Sequence, residues 1–139
     1  MSLPQPSVIA QDEIARTYER DGFVVPIDVL SQSQAHTLRI DLETAETELA
    51  GDPEKLALLK AYPDRLLPSF DALTRNETLI AAASAVLGPD LMVWSAGLFI
   101  KEANSPKIVS WHQDLTYWGL DDICETTCSV SYTHLTLPT

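Results

Sequence analysis

The feature that most constrains this 139-residue chain is a histidine and an aspartate two residues apart, His112 and Asp114. In an extended strand, residues i and i+2 point to the same side, so the imidazole and the carboxylate converge on one point. These two groups suit a first-row metal such as ferrous iron, which proteins often bind with two histidines and one carboxylate. An isolated H-x-D triplet is weak evidence, because it also arises by chance as a strand histidine beside a surface aspartate. Here the triplet lies in a stretch rich in Trp and Tyr, with Trp111, Tyr117 and Trp118, which narrows the classes of protein that it fits.

Composition and charge argue against several classes of protein. Hydrophobic residues make up 45% of the chain and charged residues 21%, which is ordinary for one globular domain or part of one. A net charge of -11 with nine basic residues argues against a nucleic-acid partner and against an anionic membrane surface. No apolar run approaches the roughly 18 residues of a membrane span, and no secretory signal is evident. Cys124 and Cys128 form a poor zinc signature, so we expect a cytoplasmic, reduced protein.

Helix signals dominate the first 90 residues. The local patterns are apolar residues at helical spacing, a Ser31–Gln34 capping box, Asn76 as an N-cap, and glycines at the expected ends. They predict helices over 12–20, from Ser31 to Gly51, over 54–61, and over 77–87. The acidic side chains of the second helix are interpreted as a solvated face.

Extended structure is predicted further along the chain and in one early segment. Residues 23–27 are rich in β-forming side chains, with Pro26 placing them at a sheet edge or a strand end. Residues 91–94 and 98–100 predict one or two strands, and 108–118 predicts the extended stretch that carries the histidine–aspartate pair. Residues 1–9 are expected to form a loose leader.

Four segments in this order resemble the phytanoyl-CoA dioxygenase family of Fe(II)- and 2-oxoglutarate-dependent oxygenases. The resemblance covers roughly residues 10 to 122, and the segments are fairly specific only when taken together. They are Asp21–Val25, Leu87–Leu91, Leu98–Lys101, and Trp111–Asp114 followed by Tyr117 and Trp118.

The resemblance implies an α+β fold, with a helical N-terminal region packed on a partial double-stranded β-helix (a cupin-like jelly roll). It implies Fe(II), 2-oxoglutarate as co-substrate and dioxygen, with His112 and Asp114 as metal ligands. Related halogenases carry a small residue in place of Asp114, so hydroxylation of a small organic molecule is the expected reaction. Substrate identity and oligomeric state are left open.

The same resemblance implies further site residues. Lys60 falls where the family has a lysine that contacts the co-substrate, Gly97 falls at a position that lines it, and Gln113 belongs to the same wall. A solvated helix lysine is the competing interpretation for Lys60, while Lys101 is interpreted as structural. Trp111 is expected in the core, whereas Tyr117 and Trp118 could belong to the core or to the substrate pocket.

The family's second histidine and its 2-oxoglutarate-binding arginine have no counterpart in this sequence. His36 is expected to be structural or solvent-facing. His134 is rejected as a ligand, because residues 130–139 resemble the translation of a transposase-type sequencing adapter.

We therefore expect residues 1–128 to be the N-terminal part of a phytanoyl-CoA dioxygenase-like domain, and 129–139 to be a non-native tail. Half a jelly roll exposes sheet edges, so the fragment is expected to be unstable and inactive alone. Two alternatives stay open. One is a non-catalytic cupin-like module that binds a metal or small ligand, and the other is an acidic interaction domain.

Overall fold

The computed structural model describes residues 10–101, 104–106, 108–119 and 125–130. Regular secondary structure in these ranges consists of helices, concentrated before residue 88. They are α1 (Gln11–Asp21), α2 (Gln32–Glu48), α3 (Pro53–Ala61), α4 (Pro63–Leu66), α5 (Pro68–Thr74), α6 (Glu77–Leu87) and α7 (Leu115–Trp118). Of these helices, none is both long and apolar enough to cross a membrane.

Local sequence signals set the ends of the two longest N-terminal helices. Helix α1 ends at Gly22, whose φ of 79° is left-handed and whose N–H donates to the Tyr18 carbonyl at 2.8 Å. Helix α2 begins with the predicted capping box, in which the Gln34 N–H donates to Ser31 Oγ and the Ser31 N–H donates to Gln34 Oε1. Both predicted helices are therefore confirmed to within a few residues.

The middle of the chain is a series of short helices that each begin with proline. Pro53, Pro63 and Pro68 occupy the first turns of α3, α4 and α5, where the missing N–H costs no helical hydrogen bond. Helix α6 follows with the predicted bounds. Its N-cap Asn76 accepts hydrogen bonds from the N–H groups of Thr78 and Leu79, at 2.9 and 3.3 Å.

Burial is limited to a few points of contact between helices. Helix α1 packs on α6, where Ile14 and Ala82 are buried and the Gln11 side-chain amide donates to the Ala81 carbonyl at 3.4 Å. In the middle of the chain, Leu59 of α3 is only 1% exposed. A cavity of about 350 Å³ lies between α2, α5 and residues 27–30.

The strands predicted over 23–27, 91–94 and 98–100 are absent from the described residues, which form no strand. A strand requires a neighbouring extended segment with which to exchange backbone hydrogen bonds. The Leu98 N–H instead donates to the Lys60 carbonyl at the end of α3, at 2.8 Å. The extended stretch predicted over 108–118 likewise forms no strand. Asp114 has helical backbone angles and residues 115–118 form helix α7.

Large apolar side chains after α6 are exposed. Met92, Phe99 and Ile108 are each more than four-fifths exposed. Trp111 is fully exposed, so its expected place in the core is wrong. These side chains follow α6 in a part of the chain without strands, where they have little cover from the helices. A core position would require a second layer of structure over them.

Several expectations concern residues outside the described ranges. They are the loose leader over 1–9, the cysteine at position 124, the histidine at position 134 and most of the expected tail, 131–139. Among the described residues, His36 is exposed on α2, as expected, and Cys128 is also exposed.

Replacement of the α6 N-cap tests how much this helix depends on its first turn. Asn76→Ala should lower the free energy of unfolding by about 1 kcal/mol, since two backbone N–H groups lose their acceptor. Asn76→Asp retains a capping oxygen and serves as the matched control. Urea unfolding followed by circular dichroism measures both variants. Equal stability of the alanine variant and the unmodified chain would contradict the capping role.

Candidate metal site

His112 and Asp114 lie just before the single turn of helix α7. The turn is closed by the Tyr117 N–H, which donates to the Asp114 carbonyl at 2.9 Å, and by Gly119, whose φ is 66°. Asp114 has helical backbone angles, with φ -59° and ψ -43°, rather than the extended conformation expected for it. The two side chains nevertheless converge, because the start of the helical turn brings the carboxylate toward the imidazole.

Both ring nitrogens of His112 face oxygen atoms. Nδ1 lies 2.8 Å from the Ser110 carbonyl oxygen, and Nε2 lies 3.0 Å from Asp114 Oδ1. The Tyr117 ring meets the imidazole edge to face, with centroids 5.9 Å apart and an angle of 78° between the planes. Three neighbours therefore set the orientation of a ring whose side chain is about 35% exposed.

The protonation of this pair decides what it can bind. A carbonyl oxygen can only accept, so the contact with Ser110 assigns the proton of a neutral ring to Nδ1. The lone pair of Nε2 then faces the Asp114 carboxylate, and two acceptors at 3.0 Å repel unless a cation lies between them. That cation can be a second proton or a metal ion. This tautomer is the one in which Nε2 ligates metals, so the two residues fit a metal site as two of its ligands.

The surroundings raise the pKa of His112. The largest cause is the hydrogen bond to the Ser110 carbonyl, and the hydrogen bond and charge of Asp114 act in the same direction. Partial desolvation opposes them. The protonated ring therefore persists to higher pH than an ordinary histidine, and a metal ion must displace that proton.

The second oxygen of the Asp114 carboxylate also has a partner. The Thr127 hydroxyl donates to Oδ2 at 3.3 Å, from a segment 13 residues further along the chain. Sequence reasoning missed Thr127, because a lone threonine carries no motif. Only the tertiary structure relates the two residues.

The other predicted site residues lie in two places. Lys60 and Gly97 are adjacent, because the Leu98 N–H bonds the Lys60 carbonyl. A Cβ atom at Gly97 would lie 3.7 Å from the Ala61 carbonyl oxygen, which is ordinary contact, so a small side chain would fit there. Gln113 is exposed between His112 and Asp114. Across the described ranges, no group of three or more His, Cys, Asp or Glu side chains could hold a metal ion.

The chain matches one known protein family over most of its length. The family described as Phytanoyl-CoA dioxygenase (PhyH) matches residues 18–137. The chain therefore belongs to the phytanoyl-CoA dioxygenase family, which confirms the resemblance found in the sequence. The match runs through most of the segment 129–139, and a non-native tail there remains a prediction.

Three curated relatives, each named ectoine dioxygenase, illustrate the similarity. The protein from Bordetella parapertussis is 25% identical over 123 residues, covering 82% of this chain and 40% of the relative. That from Stutzerimonas stutzeri is 26% identical, covering 79% and 39% respectively. That from Halomonas elongata is also 26% identical, covering 76% and 35%. The chain thus spans at most about 40% of these relatives. No solved structure matches it significantly.

The pKa of His112 can be tested directly by NMR titration of its ring nitrogens. We expect a value above that of an ordinary histidine, and we expect Asp114→Asn to lower it. The decrease should be partial, because the larger cause, the Ser110 carbonyl, remains. Glu48→Gln, which removes a negative charge from α2 instead, is the control for net charge. An unperturbed His112 pKa in the unmodified chain would contradict this geometry.

Proposed function

We propose that this chain is part of an Fe(II)- and 2-oxoglutarate-dependent dioxygenase that hydroxylates a small organic molecule. His112 and Asp114 supply two of the three protein ligands. The observation that carries the proposal is the 3.0 Å approach of His112 Nε2 to Asp114 Oδ1, with Nδ1 occupied by a backbone carbonyl. Membership of the dioxygenase family supports the same reaction.

Each residue around the pair has a distinct role in this proposal. The Ser110 carbonyl holds the tautomer that leaves Nε2 available, and Tyr117 limits rotation of the ring. The Asp114 carboxylate contributes negative charge that stabilises a divalent cation. Bound iron would supply the oxidative chemistry with dioxygen, through coupled decarboxylation of 2-oxoglutarate. Partial exposure of both ligands leaves room for other molecules to approach.

The proposed co-substrate site includes Lys60, Gly97 and Gln113. A lysine ammonium group suits a carboxylate of 2-oxoglutarate, and Lys60 is half-buried at the end of α3. Gly97 has no side chain and lies beside the end of α3, where an added Cβ atom would be 3.9 Å from the Lys60 carbonyl oxygen. Gln113 lies between the two ligands in sequence, where its exposed side chain can reach a bound co-substrate.

The fold and the third ligand are also part of the proposal. We propose that the extended segments after α6 pair in a cupin-like double-stranded β-helix, since their apolar side chains are exposed here and need a second layer. In this proposal, the third ligand and the arginine for 2-oxoglutarate have no counterpart in the present sequence. Turnover by this chain alone is therefore not expected. The native domain is proposed to occupy residues 1–128, with 129–139 a non-native tail.

The substrate class follows from the relatives and from charge. The relatives are named ectoine dioxygenases, and we propose a small organic substrate of unspecified identity for this chain. A net charge of -11 disfavours nucleic acid as the target. A cytoplasmic location is also proposed, while the oligomeric state is left open.

Metal titration tests the ligands. His112→Ala and Asp114→Ala should each weaken Mn²⁺ binding by more than the roughly 10- to 100-fold that loss of an outer-shell partner costs. His36→Ala, on the exposed face of α2, is the matched histidine control and should bind Mn²⁺ like the unmodified chain. Isothermal titration calorimetry measures all three. Unchanged affinity in His112→Ala would overturn the metal site.

Binding of 2-oxoglutarate distinguishes the two hypotheses for this chain, an oxygenase domain and a non-catalytic metal-binding module of cupin-like shape. With Mn²⁺ present, Lys60→Ala should weaken 2-oxoglutarate binding about 10-fold, through loss of a charge-assisted hydrogen bond. Lys101→Ala is the matched control and should have no effect. Calorimetry with 2-oxoglutarate is again the measurement. Metal binding without any binding of 2-oxoglutarate would favour the non-catalytic module.

A further inference from the structure

We propose that Thr127 is a positioning residue for the metal ligand Asp114, an inference that rests on the proposed function. Its hydroxyl donates to Asp114 Oδ2 at 3.3 Å, while Oδ1 of the same carboxylate faces His112 Nε2. The two oxygens are thereby given different roles. One is directed toward the histidine, and the other is held by a neutral donor.

The threonine is carried on a short segment that is attached to the helical region. In residues 125–130, the adjacent Thr126 hydroxyl donates to the Tyr18 hydroxyl of α1 at 3.2 Å. This hydrogen bond attaches the segment to α1 at the residue next to Thr127, while the Thr127 hydroxyl lies at the Asp114 carboxylate.

The physical effect is on the orientation of the carboxylate. An aspartate side chain rotates freely about its last bond unless its oxygens have partners. A hydrogen bond to Oδ2 restricts that rotation, so less conformational entropy is lost when Oδ1 binds a cation. Partners of this kind affect metal affinity although they do not touch the metal.

The neighbouring residues Thr126 and Thr127 allow a matched mutagenesis experiment on the whole 139-residue chain. Thr127→Val retains the β-branched shape but removes the donor, and Thr127→Ser restores it. Thr126→Val makes the same change one residue away, where the hydroxyl bonds α1 rather than Asp114. Binding of Mn²⁺ alone is measured by electron paramagnetic resonance of the free ion, with circular dichroism of each variant as a folding control.

We expect Thr127→Val to weaken Mn²⁺ binding about 10-fold or more. Thr127→Ser should retain the affinity of the unmodified chain, and Thr126→Val should weaken binding less than Thr127→Val does. Equal weakening by Thr126→Val and Thr127→Val would overturn the inference, because the segment would then act only as a structural support. Unchanged affinity in Thr127→Val, with binding lost in His112→Ala, would overturn it while leaving the proposed function intact. Unchanged affinity in His112→Ala would overturn the proposed function itself.

Discussion

Backbone hydrogen bonding divides this chain into two parts with different requirements. A helix satisfies its N–H and C=O groups within its own segment, whereas an extended segment needs a neighbouring one. Helices α1 to α6 accordingly form before residue 88, with caps and prolines at their ends. Beyond α6, the Leu98 N–H bonds the Lys60 carbonyl, which joins a segment without regular secondary structure to the end of a helix. Within the described ranges, the part after α6 thus bonds to a helix end and forms no strand pair.

The candidate site lies in this second part, and its geometry is local. Ser110, His112 and Asp114 are each two residues apart, and the turn of α7 brings the carboxylate to the ring. A site built from near neighbours in sequence can form without a closed barrel. The proposed third ligand would have to come from elsewhere, since no group of three or more His, Cys, Asp or Glu side chains within the described ranges could hold a metal ion.

Sequence reasoning succeeded where the determinants are local and failed where a second layer decides the outcome. The capping box at Ser31 and the N-cap at Asn76 predicted the starts of α2 and α6 correctly, since a cap acts within one turn. Trp111 was expected in the core but is fully exposed, because no described element covers it. The convergence of His112 and Asp114 was predicted from an extended strand and occurs instead at a helix start.

By itself, the sequence determined the helices, their caps, the family and the two candidate ligands, because each depends on residues within a few positions or on a recognisable pattern. Only the tertiary structure decided that Gly97 lies against the end of α3, and that Thr127 reaches Asp114. It also decided that the predicted strands remain unpaired among the described residues. The reason is physical: strand pairing, burial and long-range hydrogen bonds depend on which distant segments are neighbours, and local propensity carries no information about that.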